Sequence, residues 1–175
     1  MARNVVLIGF MGTGKTSTGK RLASRLGFAF LDLDQYIEER EGCKIPEIFA
    51  GRGEAYFRAA EKKAVEEAAA RKNTVIATGG GTVKDPENME RLRQSGTVVC
   101  LTADVETIVA RTSRRGERPL LDRSDDRRQA VAELLESRRS FYEQADCFID
   151  TSNRSPLEIT EEICHYLKRE GYLHG

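Results

Sequence analysis

The chain has 175 residues, 39% hydrophobic and 32% charged, with 28 Lys and Arg set against 28 Asp and Glu and a formal net charge of zero. This composition argues against disorder and collagen-like repeats. A chain of this length buries roughly 70% of its unfolded surface, enough for a core without disulfides or a structural metal. With no net field to draw in nucleic acid or an anionic membrane, any bound anion must be held by local cations and backbone dipoles.

The first apolar run, residues 5–8, is far shorter than a signal-peptide core or a membrane span, so a cytoplasmic protein is expected. Four similar runs follow at 29–31, 74–78, 97–101 and 147–149, and all five suit strands buried on both faces of a parallel sheet. Between them lie segments of helical period. Gly19, Leu22, Ala23 and Leu26 mark the first, and 46–72, 105–114 and 127–144 follow. Strand alternating with helix predicts an α/β sandwich. The absence of repeats and linkers predicts one domain over 1–175.

Two stretches break the alternation. Residues 33–61 put two helical segments after the second strand, and residues 112–126 are dense in both charge signs, with Gly116 and Pro119. Excursions of this kind at the ligand edge of an α/β sheet read as a substrate cover and a lid. A solvated helix end is the plain alternative for the second. The cysteines Cys43, Cys100, Cys147 and Cys164 form no Cys-x-x-Cys pair and read as reduced, mostly core thiols. His165 and His174 have no spaced partner, so neither a histidine-based metal site nor histidine-base chemistry is indicated.

After the first strand comes Gly9-Phe10-Met11-Gly12-Thr13-Gly14-Lys15-Thr16, which fits G-x-x-x-x-G-K-[ST] at every fixed position. Chance supplies about 0.007 such matches in a chain of this composition. Glycines let the backbone turn its N–H groups onto phosphates, and the following helix points its positive dipole end at the same place. Lys15 then meets the β- and γ-phosphates, and Thr16 offers a hydroxyl to Mg²⁺.

The second strand reads Leu31-Asp32-Leu33-Asp34 at its end, and in an extended strand two such carboxylates share a face. One would reach Mg²⁺ and the other would align or deprotonate an acceptor hydroxyl. The plain alternative has Asp34 capping a helix that begins near Gln35. Arg58 and Arg138 suit an anionic acceptor because a guanidinium fork matches a carboxylate. Read locally, Arg58 is a surface partner of Glu54 or Glu61, and Arg138 is a solvated helix residue. Gly79-Gly80-Gly81 lets a ligand approach the backbone after the third strand, with a flexible turn as the alternative. Arg118-Pro119 in the lid could act like an arginine finger in cis, and an exposed charge fits the local sequence equally well.

Together these pieces resemble the shikimate kinase family over nearly the whole chain. The residues that carry the resemblance are the P-loop, Asp32-x-Asp34, Gly53-Glu54-x-x-Phe57-Arg58-x-x-Glu61, Gly79-Gly80-Gly81, Arg118-Pro119-Leu120-Leu121 and Arg138-x-x-x-Tyr142. The resemblance implies a three-layer P-loop NTPase fold with a five-stranded parallel sheet in the order 2-3-1-4-5. It also implies transfer of the ATP γ-phosphate to the 3-hydroxyl of shikimate. Gly12, Thr13, Gly14, Lys15, Thr16 and Ser17 would line the ATP phosphates, with Arg118 over them, and Arg111, Arg154 and Pro156 would flank the adenine. Asp34 would hold the ring hydroxyls and act as base. Arg58, Arg138 and the backbone of Gly79, Gly80 and Gly81 would hold the shikimate carboxylate, while Thr16 and Asp32 assist Mg²⁺.

A gluconate-type or nucleotide kinase and a non-catalytic ATP-binding switch are the competing readings. The first has no use for the Phe57-Arg58 and glycine-triplet pair, a nucleotide kinase needs a base pocket in 33–61, and the switch predicts ATP binding without acceptor-dependent ADP release. With no extended apolar surface stripe in the sequence, a monomer is expected.

Overall fold

The computed structural model describes residues 3–113 and 127–172. Five strands form one parallel sheet: β1 (Asn4–Gly9), β2 (Ala29–Asp32), β3 (Thr74–Ala77), β4 (Gly96–Thr102) and β5 (Cys147–Asp150). Their spatial order is β2-β3-β1-β4-β5, the order that the family resemblance implies. Every residue of β1 and β3 is buried, which explains why these runs are unbroken in hydrophobicity rather than alternating. In register, Val6 lies between Ile76 of β3 and Val98 of β4.

The described helices are α1 (Lys15–Leu26), α2 (Leu33–Glu41), α3 (Ile45–Ala69), α4 (Pro86–Ser95), α5 (Val105–Ser113), α6 (Arg127–Tyr142) and α7 (Pro156–Arg169). Helices α1 and α7 cover one face of the sheet, where Leu22, Ala23, Ile159, Ile163 and Leu167 pack on Val5, Leu7 and Val99. Helices α2 to α6 cover the other, where Ile37, Phe57, Val65, Met89, Ile108 and Val131 pack on Val6, Ile8 and Val98. The result is the expected three-layer sandwich.

Three departures from the sequence reading have local causes. The helix expected over 46–72 runs Ile45–Ala69 and breaks at Gly53, whose φ of 87° and ψ of 169° are not helical. That break redirects the chain one turn before Phe57 and Arg58. Helix α4 went unread because it is short and polar, although Asp85 caps it through the Glu87 N–H and Pro86 opens it. Helix α7 also went unread, despite a full capping box between Ser155 and Glu158. All four cysteines are free; Cys100 and Cys164 are buried, whereas Cys43 and Cys147 are half-buried. No helix among the described residues is long and apolar enough to cross a membrane.

Candidate active site

The P-loop joins β1 to α1 and is held open from within. Gly14 precedes α1 in the left-handed region (φ 86°, ψ 28°) and gives the helix no side-chain cap, and the first turn holds no acidic residue. The N–H groups of that turn therefore face the site with the positive end of the helix dipole, as an anion requires. Thr13 is buried and donates its hydroxyl to the Phe10 carbonyl at 2.7 Å, closing the loop on itself. Lys15 Nζ donates to the Gly9 and Phe10 carbonyls at 2.6 and 3.2 Å, so its ammonium is drawn back over the loop. Ser17, in the same first turn, donates its hydroxyl to the Gly14 carbonyl at 3.4 Å.

The two aspartates are separated by a helix start rather than sharing a strand face, which corrects the sequence reading. Asp32 ends β2 and caps α2, accepting from the Gln35 N–H at 3.2 Å, so the chain is already helical at Leu33. Asp32 is thus the cap, and Asp34 lies in the first turn. The capping carboxylate still has a free oxygen, and Oδ2 accepts the Thr16 hydroxyl at 3.0 Å. Thr16 and Asp32 thereby present two oxygen ligands side by side beneath the P-loop. Burial, with the nearby Asp32 and Glu61 carboxylates adding to it, pushes the Asp34 carboxyl up to about 6, against a smaller pull from Lys15.

The glycine triplet gathers the rest of the site. A Cβ on Gly79 would lie 2.3 Å from Asp34 Oδ1, one on Gly80 would lie 3.4 Å from Arg138 Nη1, and one on Gly81 would lie 2.5 Å from Arg58 Nη1. Three successive glycines after β3 therefore carry one carboxylate and two guanidiniums in a row. Arg58 is not a simple surface partner: its Nη1 donates at 3.0 Å to Glu61, which is 2% exposed and also accepts the Thr82 hydroxyl at 3.1 Å. Nor is Arg138 a solvated helix residue. Its Nε and Nη1 are buried with no hydrogen-bond acceptor among the described residues, and the buried Tyr142 hydroxyl lies beside it one turn on. A buried guanidinium with idle donors calls for an anion, since leaving such groups unpaired is costly.

On the far side of the P-loop, Arg111 donates to the Gly12 carbonyl at 3.0 Å and to the Thr151 hydroxyl and carbonyl at 3.0 and 2.8 Å. Arg154 donates to the Asp150 carbonyl at 3.0 Å and pairs with Glu162 at 2.8 Å, beside Pro156 at the start of α7. The residues expected around the adenine thus meet at the end of β5, next to the P-loop. Of the lid expected over 112–126, residues 112 and 113 end α5, and the rest, Arg118 included, lies outside the described residues.

Two residues escaped the local reading. Glu61 reads locally as a charge neighbour of Arg58, and its burial shows in no local pattern. Thr151 carried no signal at all, because a threonine after a strand is ordinary.

The model of the family described as shikimate kinase matches residues 11–168. A shikimate kinase of Persephonella marina is 47% identical over 161 residues, covering 92% of this chain and 96% of the relative. One of Geobacter metallireducens is 48% identical over 168 residues, covering 95% and 92%. A solved shikimate kinase from Acinetobacter baumannii in complex with shikimate superposes with a TM-score of 0.90 at 38% identity, covering 98% of this chain and 96% of that one. By a family match across residues 11–168 and relatives close to half identical over nearly its whole length, the chain belongs to the shikimate kinase family.

Proposed function

We propose that this protein transfers the γ-phosphate of ATP to the 3-hydroxyl of shikimate, giving shikimate 3-phosphate and ADP. The observation that carries the reading is the row along Gly79, Gly80 and Gly81, which sets Asp34 beside two guanidiniums at the sheet edge that also holds the P-loop. An acceptor with ring hydroxyls and one carboxylate matches that order of charges. Arg58 and Arg138 take the carboxylate, and the hydroxyl to be phosphorylated faces Asp34. Kinship with a protein solved with shikimate bound supports the same acceptor.

The open first turn of α1, with Gly12, Thr13, Gly14, Lys15, Thr16 and Ser17, holds the ATP phosphates. The Thr16 hydroxyl and the Asp32 carboxylate would hold Mg²⁺, which would supply charge neutralisation to the phosphates. Arg111, Arg154 and Pro156 flank the base. Arg118 contacts the phosphates, an assignment that rests on the family resemblance.

In the transfer, the acceptor oxygen forms a bond to the γ-phosphorus while the bond to the β,γ-bridging oxygen breaks. The acceptor proton passes to Asp34, and ADP leaves. The transition state of phosphoryl transfer is loose, so positioning and charge supply most of the rate. Lys15 neutralises charge as it spreads, and Arg58 and Arg138 fix the acceptor in line. Asp34, its carboxyl raised to about 6 by burial, takes a proton more readily than an exposed carboxylate would.

The test is ADP release from purified protein with Mg-ATP alone and with shikimate, gluconate or AMP. Stimulation by shikimate alone is the expected result. Equal stimulation by gluconate or AMP would move the protein to another kinase class, and ATP binding with no stimulation would leave a nucleotide switch.

A further inference from the structure

The glycine row explains where Arg138 lies but not what holds its guanidinium plane. Among the described residues Arg138 Nε and Nη1 meet no hydrogen-bond acceptor, and Gly80 has no side chain to brace them. The support comes from the nucleotide side. Phe10, the first variable residue of the P-loop, is 1% exposed, and the Arg138 Cζ stands 5.6 Å from the centre of its ring. A guanidinium over an aromatic face at that distance is attracted by the ring quadrupole, more so where water is excluded.

Phe10 is itself fixed by the loop. Its carbonyl accepts from the Thr13 N–H at 3.3 Å, the Thr13 hydroxyl at 2.7 Å and Lys15 Nζ at 3.2 Å. The main chain of this residue therefore belongs to the phosphate cradle, and its ring belongs to the acceptor pocket. A P-loop fulfils its phosphate role with any side chain at this position, because the motif leaves it free.

Resting on the functional reading above, we propose that Phe10 is a positioning residue for the acceptor: its ring carries the Arg138 guanidinium in the orientation that receives the acceptor carboxylate. Two consequences follow. A substitution inside the nucleotide-binding loop changes the acceptor KM and leaves the ATP KM alone. The change also vanishes when Arg138 is no longer an arginine.

The experiment uses Phe10→Leu and Phe10→Met, both of which keep an apolar side chain and remove the ring, each with and without Arg138→Met. Steady-state KM values for shikimate and ATP are measured for all variants, with thermal unfolding as the check on folding. The expected result is a shikimate KM raised about 3- to 30-fold, the range of one such contact, with the ATP KM within about twofold. In the Arg138→Met background the same Phe10 change should add less than about twofold. An ATP KM that rises with the shikimate KM, or an equal loss in both backgrounds, overturns the proposal.

A second readout needs no substrate. The Arg138 Nε–H resonance, identified by its disappearance in Arg138→Met, should carry a ring-current shift that Phe10→Leu abolishes. If wild-type protein does not use shikimate but the shift is present, the functional reading falls and the Phe10 support stands for another anionic acceptor. An unchanged Arg138 resonance in Phe10→Leu overturns the support itself.

Discussion

Gly79 is the wall against which the Asp34 carboxylate rests: a methyl group at Gly79 would lie 2.3 Å from Oδ1 and 3.0 Å from Cγ. The nearest atoms all belong to the Asp34 side chain and none to the backbone, so a methyl group here would turn the carboxylate away. Gly79→Ala should therefore fold normally but push the base off line. A misplacement of about 1 Å costs about 10²-fold in rate in comparable chemistry. We expect kcat to fall by roughly that factor with the ATP KM unchanged, and Asp34→Asn to hide the effect in the double variant. Equal kcat in Gly79→Ala and wild type would show that Asp34 does not act from this position.

With Asp34 as the proposed base, its carboxyl, raised to about 6, should set the pH dependence of the reaction. The base works only when ionised, so log kcat should fall with unit slope as pH drops below about 6. Stability runs the other way. The folded-state value lies above the ordinary aspartate value, so the unfolded chain releases this proton first as pH rises. The apo fold is therefore free of the penalty below about pH 4 and bears it fully above about pH 6. Asp34→Asn should unfold at a higher temperature than wild type at pH 8, by the equivalent of about 2 kcal/mol, and match it near pH 4. Thermal unfolding of the two proteins across that range decides the matter.

The sheet and the P-loop were legible because both are written locally. Residues 5–8 and 97–101 are unbroken apolar runs that only a doubly covered strand needs, and the P-loop spacing is a backbone requirement. The junction at Asp32 was misread because its cap competes with strand continuation, and the sequence shows no winner until the Gln35 N–H is placed. Arg58 and Arg138 looked like surface charges because each lies on a helix, and burial depends on what packs across from it. Only their arrival at Gly81 and Gly80, residues distant in the chain, brings them together. The resemblance named the pieces, whereas their mutual support is a tertiary fact.

Glu61 is one such support. It is 2% exposed, binds Arg58 Nη1 and accepts from Thr82, and its charge adds to the upward push on Asp34. Glu61→Gln keeps the shape and removes the charge. Two effects should separate in one pH series. The shikimate KM should rise because Arg58 loses its charged partner, and the acid limb of the kcat profile should move to lower pH because Asp34 loses a like-charged neighbour. A KM effect with an unmoved acid limb would reject the electrostatic link between Glu61 and the base.

Thr151 plays a comparable part on the nucleotide side. Fully buried, it donates its hydroxyl to the Thr102 carbonyl at 2.8 Å and accepts from Arg111, which also holds the Gly12 carbonyl of the P-loop. Thr151→Val preserves the branched shape. The Thr102 carbonyl keeps its bond from the Thr151 N–H at 2.8 Å, so the strand pairing survives. What is lost is one of the three bonds that fix the Arg111 guanidinium between the P-loop and the end of β5. A hydrogen bond to a charged donor is worth about 1.5 to 3 kcal/mol, part of which Arg111 recovers from its two remaining acceptors. The ATP KM should therefore rise by roughly 3- to 10-fold while the shikimate KM stays put, the reverse of the pattern expected at Phe10. Steady-state kinetics with each substrate varied in turn distinguishes the two residues. A Thr151 variant that raised the shikimate KM instead would place Arg111 in the acceptor site and not beside the nucleotide.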